Sequence, residues 1–166
     1  MPKSSKIAKL PLHRAAIIVA DEVYQTIDGK YVIAGTYQNW LIGEPVLHIQ
    51  KGLAIYLRIQ FEIPGNYNVG IIMEDRSKSP AEKPLHSQLI NFSIGNNSVP
   101  IELGLRTKGF SIKRPIGRLD RNHLKHVKLV INLEVDGMLL ASAPLTVSFR
   151  HPKDTHVNHS NIAAPQ

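Results

Sequence analysis

The sequence predicts an all-β chain, an antiparallel β-sandwich of about eight strands, and three observations lead there. Apolar and polar residues alternate over long stretches, turn residues recur at short intervals, and no stretch has the three-to-four-residue apolar spacing of a helix. The alternative is a small β-barrel, because alternation by itself does not separate two packed sheets from one curled sheet.

The clearest stretch runs from Val127 to Phe149. Leu129, Ile131, Leu133 and Val135 alternate with polar residues, Asp136-Gly137 follows, and the apolar series resumes through Leu139, Ala141, Ala143, Leu145, Val147 and Phe149. A two-residue turn on Asp-Gly would set odd positions opposite even ones and oppose the two apolar faces. A three-residue loop, Val135-Asp136-Gly137, avoids this, with a type I turn closed by a left-handed Gly137. It predicts Glu134 opposite Met138, Ile131 opposite Ala141, and Leu129 opposite Ala143.

The remaining elements follow in chain order. Residues 1–12, with Lys3, Lys6, Lys9 and two prolines, read as a disordered basic arm. Residues 13–150 read as one domain and 151–166 as a polar tail. A first strand covers Arg14 to Ala20, and Asp21 to Gln25 fits either a helical turn or more strand. Ile27-Asp28-Gly29 repeats the later turn chemistry and leads into a strand from Lys30 to Tyr37, extending at most to Ile42. Gly35 inside it signals a bulge or the close approach of another backbone. Leu53 to Ile63 alternates without a break; a three-residue turn at Pro64-Gly65-Asn66 then joins it to Tyr67, Val69, Ile71 and Met73 on the same face. Asp75 to Pro84 reads as an exposed connection between sheets. Leu85 to Ile94 and Val99 to Leu105 read as a pair around Gly95-Asn96-Asn97. Asp120 to His126 reads as one helical turn capped by Asp120.

At 166 residues the chain can bury about 70% of its unfolded surface in one core. It contains no cysteine, which excludes disulfides, thiolate metal sites and cysteine nucleophiles. The apolar run Ala15 to Ala20 is too short for a signal sequence, and no run approaches the ~18 apolar residues of a membrane helix. A cytoplasmic protein without membrane contact is therefore expected.

Charge is uneven. The chain has 20 basic and 13 acidic residues. Between Arg106 and Lys128, eight basic residues (Arg106, Lys108, Lys113, Arg114, Arg118, Arg121, Lys125 and Lys128) face one acid, Asp120, so the rest of the chain is balanced. Such a cluster can neutralise phosphates, so it is the candidate contact for an anionic partner, nucleic acid included. Phe110 is its one aromatic, fewer than single-strand binders offer. Trp40, near Tyr31 and Tyr37, is a candidate exposed contact, with a place in the core as the favoured reading.

Several residues from Ala20 onward carry a family likeness. Ala20-Asp21-Glu22-Val23, the run Asp28-Gly29-Lys30-Tyr31-Val32-Ile33-Ala34-Gly35-Thr36-Tyr37, a proline-bearing connection, and a terminal hairpin on Val135-Asp136-Gly137 with Pro144-Leu145-Thr146-Val147 resemble an uncharacterised group of bacterial proteins. The resemblance covers most of residues 14–149 and implies a compact immunoglobulin-like sandwich. It carries no catalytic or binding residues, and the basic stretch departs from its pattern.

Catalytic and metal readings are weaker. His123 and His126, with Asp120, stand three apart, but spacings of three and six wrap round a helix, and Arg121 and Lys125 repel a cation. His151, His156 and His159 with Asp154 sit in the tail. Ser87 beside His86 and the carboxylates Asp21, Glu22, Asp28, Glu74 and Asp75 come without a nucleophile elbow or phosphate loop. The sequence therefore predicts a non-catalytic interaction module that binds a protein partner or a second copy, with no cofactor and no metal. The alternatives are polyanion binding through residues 106–128, and a small enzyme whose cleft brings His86, His123 or His126 to Asp21 or Glu74.

Overall fold

The computed structural model describes residues 13–36, 39–78, 83–96, 99–116 and 124–150. Among them are eleven strands and no helix: β1 Arg14–Gln25, β2 Tyr31–Thr36, β3 Asn39–Ile42, β4 Val46–Ile49, β5 Ala54–Gln60, β6 Gly65–Asp75, β7 His86–Ile94, β8 Ile101–Arg106, β9 Phe110–Lys113, β10 Leu124–Val135 and β11 Met138–Arg150. A four-stranded sheet has the order β2-β1-β5-β8, a five-stranded sheet β3-β11-β10-β6-β7, and β4 pairs with β9. None closes into a barrel. Every pairing is antiparallel except β3 on β11, which is parallel.

The period-2 alternation sends its apolar residues where it should. Leu53, Ile55, Leu57, Ile59 and Phe61 from the first sheet and Tyr67, Val69, Ile71, Met73, Leu129, Ile131, Leu133, Leu145, Val147 and Phe149 from the second are buried in one cluster. Removing that apolar surface from water, at roughly 25 cal/mol per Å², is what holds the sheets together.

The pairing of strands differs from the sequence expectation in several places. β5 and β6 do not form a hairpin; β5 lies between β1 and β8, while β6 lies between β10 and β7. The chain crosses from one sheet to the other at residues 61–64. Phe61 stacks on Tyr67 there, 4.4 Å between ring centroids, and the Tyr67 hydroxyl donates to Ile63 O at 2.7 Å. Residues 75–84 join β6 to β7 within one sheet rather than linking two sheets. β7 and β8 belong to different sheets and do not pair. Asp21 to Gln25 continues β1, and the strand expected from Lys30 divides into β2 and β3, which also lie in different sheets. Residues 124–126 are strand, not helix; Asp120 to His123 lie outside the described residues, as do the basic arm and the tail.

The terminal hairpin reaches the right faces by another route. Val135 pairs with Met138 across a two-residue turn, and both Asp136 (φ 50°) and Gly137 (φ 79°) are left-handed, the signature of a type I′ turn. Glu134 pairs with Leu139 but Leu133 with Ala141, so Leu140 is an extra, bulged residue. Ile131 therefore faces Ala143 and Leu129 faces Leu145, two positions beyond the expected partners. The parity correction sits in the strand instead of the loop. Leu139, on the turn side of the bulge, is 54% exposed in consequence.

Two glycines position the small sheet. A Cβ on Gly52 (φ 70°) would stand 2.0 Å from Thr107 O, and one on Gly109 would stand 2.3 Å from Gln50 O. Only bare backbone lets these segments pass so closely. Thr107, buried at this crossing, accepts a hydrogen bond from Leu53 N at 2.9 Å through its hydroxyl. Beyond it, β4 and β9 continue the antiparallel run of β5 and β8, and Ile112 enters the core.

Candidate interaction surfaces

The basic residues do not form one loop. Arg106 ends β8, and its Nη2 donates to Asp21 O at 3.2 Å. Lys108 is exposed, and Phe110 is half-buried against the core. Lys113 ends β9, while Lys125 and Lys128 lie on β10. Arg114 donates from its backbone to Pro45 O at 2.8 Å and from Nη1 to Arg150 O at 3.2 Å. Arg118 and Arg121 lie outside the described residues.

The fold nevertheless gathers part of this set. Leu124 pairs with Arg150, and Arg76 N donates to Lys128 O at 2.8 Å. Lys113, Arg114, Lys125 and Lys128 thus come to one end of the five-stranded sheet, joined by Arg76 and Arg150, which lie outside the charged stretch of sequence. The ion pairs Lys30–Asp28 and Arg58–Glu102 lie elsewhere. A rim of this kind can contact phosphates, with an affinity that falls as salt rises.

A cleft of about 680 Å³ opens between the two sheets beside β4. Trp40 and Ile42 of β3, Leu47 and His48 of β4, Asp21 and Arg106 line it. Trp40 is half-buried and packs against the core while also facing this cleft. His48 Nδ1 and Ser111 Oγ are 2.8 Å apart. The Asp21 carboxylate lies over Gly35 (φ 65°), where a Cβ would stand 2.0 Å from Oδ2, so the group that approaches this glycine is a side chain and not the backbone that was expected. The walls mix apolar side chains with both signs of charge.

The catalytic combinations are not assembled among the described residues. Asp21 reaches the cleft, but the histidine beside it is His48. His86 and Ser87 are consecutive on β7 and point to opposite faces. His86 pairs with Met73 of the core, whereas Glu74 is exposed. His126 Nδ1 lies 2.9 Å from Ser148 Oγ, and His123 lies outside the described residues. Among the described residues no group of three or more His, Asp or Glu could hold a metal ion.

Strand edges are an expected contact surface for a partner or a second copy, and the sheet order shows which strands they are. In the two larger sheets β2, β8, β3 and β7 are the edge strands, and unpaired edges invite another strand. Three carry obstacles. β2 has six residues and is bent by the left-handed Gly35. β8 follows Pro100 and bears Glu102 and Arg106. β3 has four residues and runs out into Gly43-Glu44-Pro45. β7, His-Ser-Gln-Leu-Ile-Asn-Phe-Ser-Ile, has nine residues, no Asp, Glu, Lys or Arg, no proline and no glycine, and it pairs with β6 without a break in register. Its Ser87, Leu89, Asn91 and Ser93 face out, and Leu89 is 69% exposed beside Gly70, which has no side chain to cover it. The uncharged alternation was visible in the sequence, but nothing there marked the strand as an edge. No protein-family model and no curated protein matches the chain.

Proposed function

We propose that the chain is a non-catalytic, immunoglobulin-like β-sandwich that binds a protein by accepting an extended segment as an added strand on β7. Two sheets that contribute to one apolar cluster support the sandwich. The observation that carries the binding reading is the edge itself: nine residues in unbroken register, alternate ones turning backbone donors and acceptors outward, where the other edges among the described residues are short, bent or charged. Strand addition draws affinity from backbone hydrogen bonds and specificity from alternate side chains. Leu89 and its polar neighbours supply the alternate positions.

The test uses a fluorescent peptide spanning residues 84–95 as a generic strand, titrated into the protein and read by anisotropy. Saturable binding that Leu89→Lys abolishes is the expected result. Absent binding, or binding undiminished in a folded Leu89→Lys protein, overturns the reading.

A further inference from the structure

We infer that the strand β7 accepts is β7 of a second copy, running antiparallel about a two-fold axis at Leu89. This rests on the strand-addition reading and names its partner. An isologous dimer needs a surface complementary to itself. β7 meets that condition because, with no charged side chain, it places no like charges opposite one another when it meets its own copy.

The register follows from the faces. Two copies keep their inner and outer faces aligned only when residues of equal parity oppose one another. Centring the axis on Leu89 sets Leu89 beside Leu89, Ser87 beside Asn91, Gln88 beside Ile90 and His86 beside Phe92. The exposed leucines then cover each other, whereas a two-residue shift would leave each against an asparagine or a serine. Ile90 and Phe92, partly buried on the inner face, extend the apolar layer across the junction. The two five-stranded sheets become one continuous sheet with neither β7 left as an edge.

Sedimentation of the full chain from low to high micromolar concentration tests the assembly. A reversible dimer is expected, weakened about tenfold or more by Leu89→Lys, which puts two ammonium groups side by side. Leu89→Cys tests the register, because the native chain has no cysteine and directly opposed residues lie within disulfide reach. Under mild oxidation Leu89→Cys should link into covalent dimers and Asn91→Cys should not. A chain that stays monomeric while still taking up the residue 84–95 peptide overturns self-pairing and leaves strand addition standing. A dimer indifferent to Leu89→Lys overturns β7 as the contact, and linkage at Asn91 in place of Leu89 overturns the register.

Discussion

The turn between β1 and β2 and the turn between β10 and β11 share an Asp-Gly step after a β-branched residue, Ile27-Asp28-Gly29 in one and Val135-Asp136-Gly137 in the other, yet close their hairpins differently. In the first, Thr26 N donates to Lys30 O at 2.8 Å, Gly29 N donates to Thr26 O at 2.9 Å, and the glycine takes the left-handed conformation (φ 82°). That is a three-residue loop, the form the sequence predicts for the second turn. In the second, aspartate and glycine are both left-handed and the loop has two residues.

The difference lies in what stands alongside. Asp136 N donates to Asn68 O at 2.8 Å, and its carboxylate accepts from Asn68 N at 2.9 Å and from Asn68 Nδ2 at 3.2 Å. β6 thus holds Asp136 in the less common conformation. Asp28 finds its partners inside its own loop, in the Thr26 hydroxyl and in Lys30 Nζ at 2.8 Å. On the corresponding side of the first hairpin, β5 pairs with β1 only as far as Ala20 opposite Ala54, so it does not reach the turn to choose its form. An Asp-Gly step permits positive φ. The neighbouring strand decides how many residues use it.

The sharpest way to break this comparison is to remove each aspartate. Asp136→Ala loses two hydrogen bonds to a neighbouring strand and places alanine at φ 50°, so a loss of about 2 kcal/mol is expected in urea unfolding, with the midpoint lowered and the slope unchanged. Asp28→Ala loses only contacts within an exposed loop, and its Tm should shift at the edge of detection. Equal losses would mean that β6 does not select the turn.

Replacing the glycines should bring the two turns together. Gly29 and Gly137 have nearly the same φ, and an added Cβ meets nothing closer than Gln25 Nε2 at 3.9 Å in one and nothing within 4 Å in the other. The cost is conformational alone, about 1 kcal/mol for Gly29→Ala and the same for Gly137→Ala. Calorimetry of both variants checks it. A clear difference between them would show that Asn68 anchors the glycine as well as the aspartate.

The two turns also mark where sequence reading stops. Burial of Leu53 to Phe61 and of Tyr67 to Met73 was legible because a half-buried strand writes its face into every second residue. Whether those strands pair was not, since a hairpin and a crossing between two facing sheets both turn the odd residues inward. Parity is satisfied either way. The same limit applies to the terminal hairpin: beyond Leu140 the expected faces hold with the register two residues off, because a bulge and a longer loop restore parity equally well there, while Leu139, expected inside, faces out. In the candidate surfaces, Arg106 and Trp40 stood out as residues, but their meeting in one cleft depends on β3 and β8 lying in different sheets. Edge status, on which β7 depends, is a property of sheet order and has no local signature.

Acid gives the smallest expected effect and the finest test of how local the first turn is. Lys30 chiefly, and then Thr26, hold the Asp28 carboxyl below its ordinary value of 3.8. A carboxyl depressed in the folded state stabilises that state above its ordinary pKa, and the contribution is lost as pH falls through the lowered value. The β1–β2 turn should therefore loosen only in strong acid, at the low end of the carboxylate range. Solvent exposure and salt screening keep the effect small. Carbon-detected NMR titration of Asp28 reads it directly: titration below the ordinary value, moving back toward it in Lys30→Ala, is expected. An Asp28 that titrates at its ordinary value in the native chain would show that the Lys30 contact does not persist in solution. The first turn would then be held by its backbone hydrogen bonds, by Gly29, and by the Gln25 and Thr26 side chains donating to Gly29 O and Lys30 O.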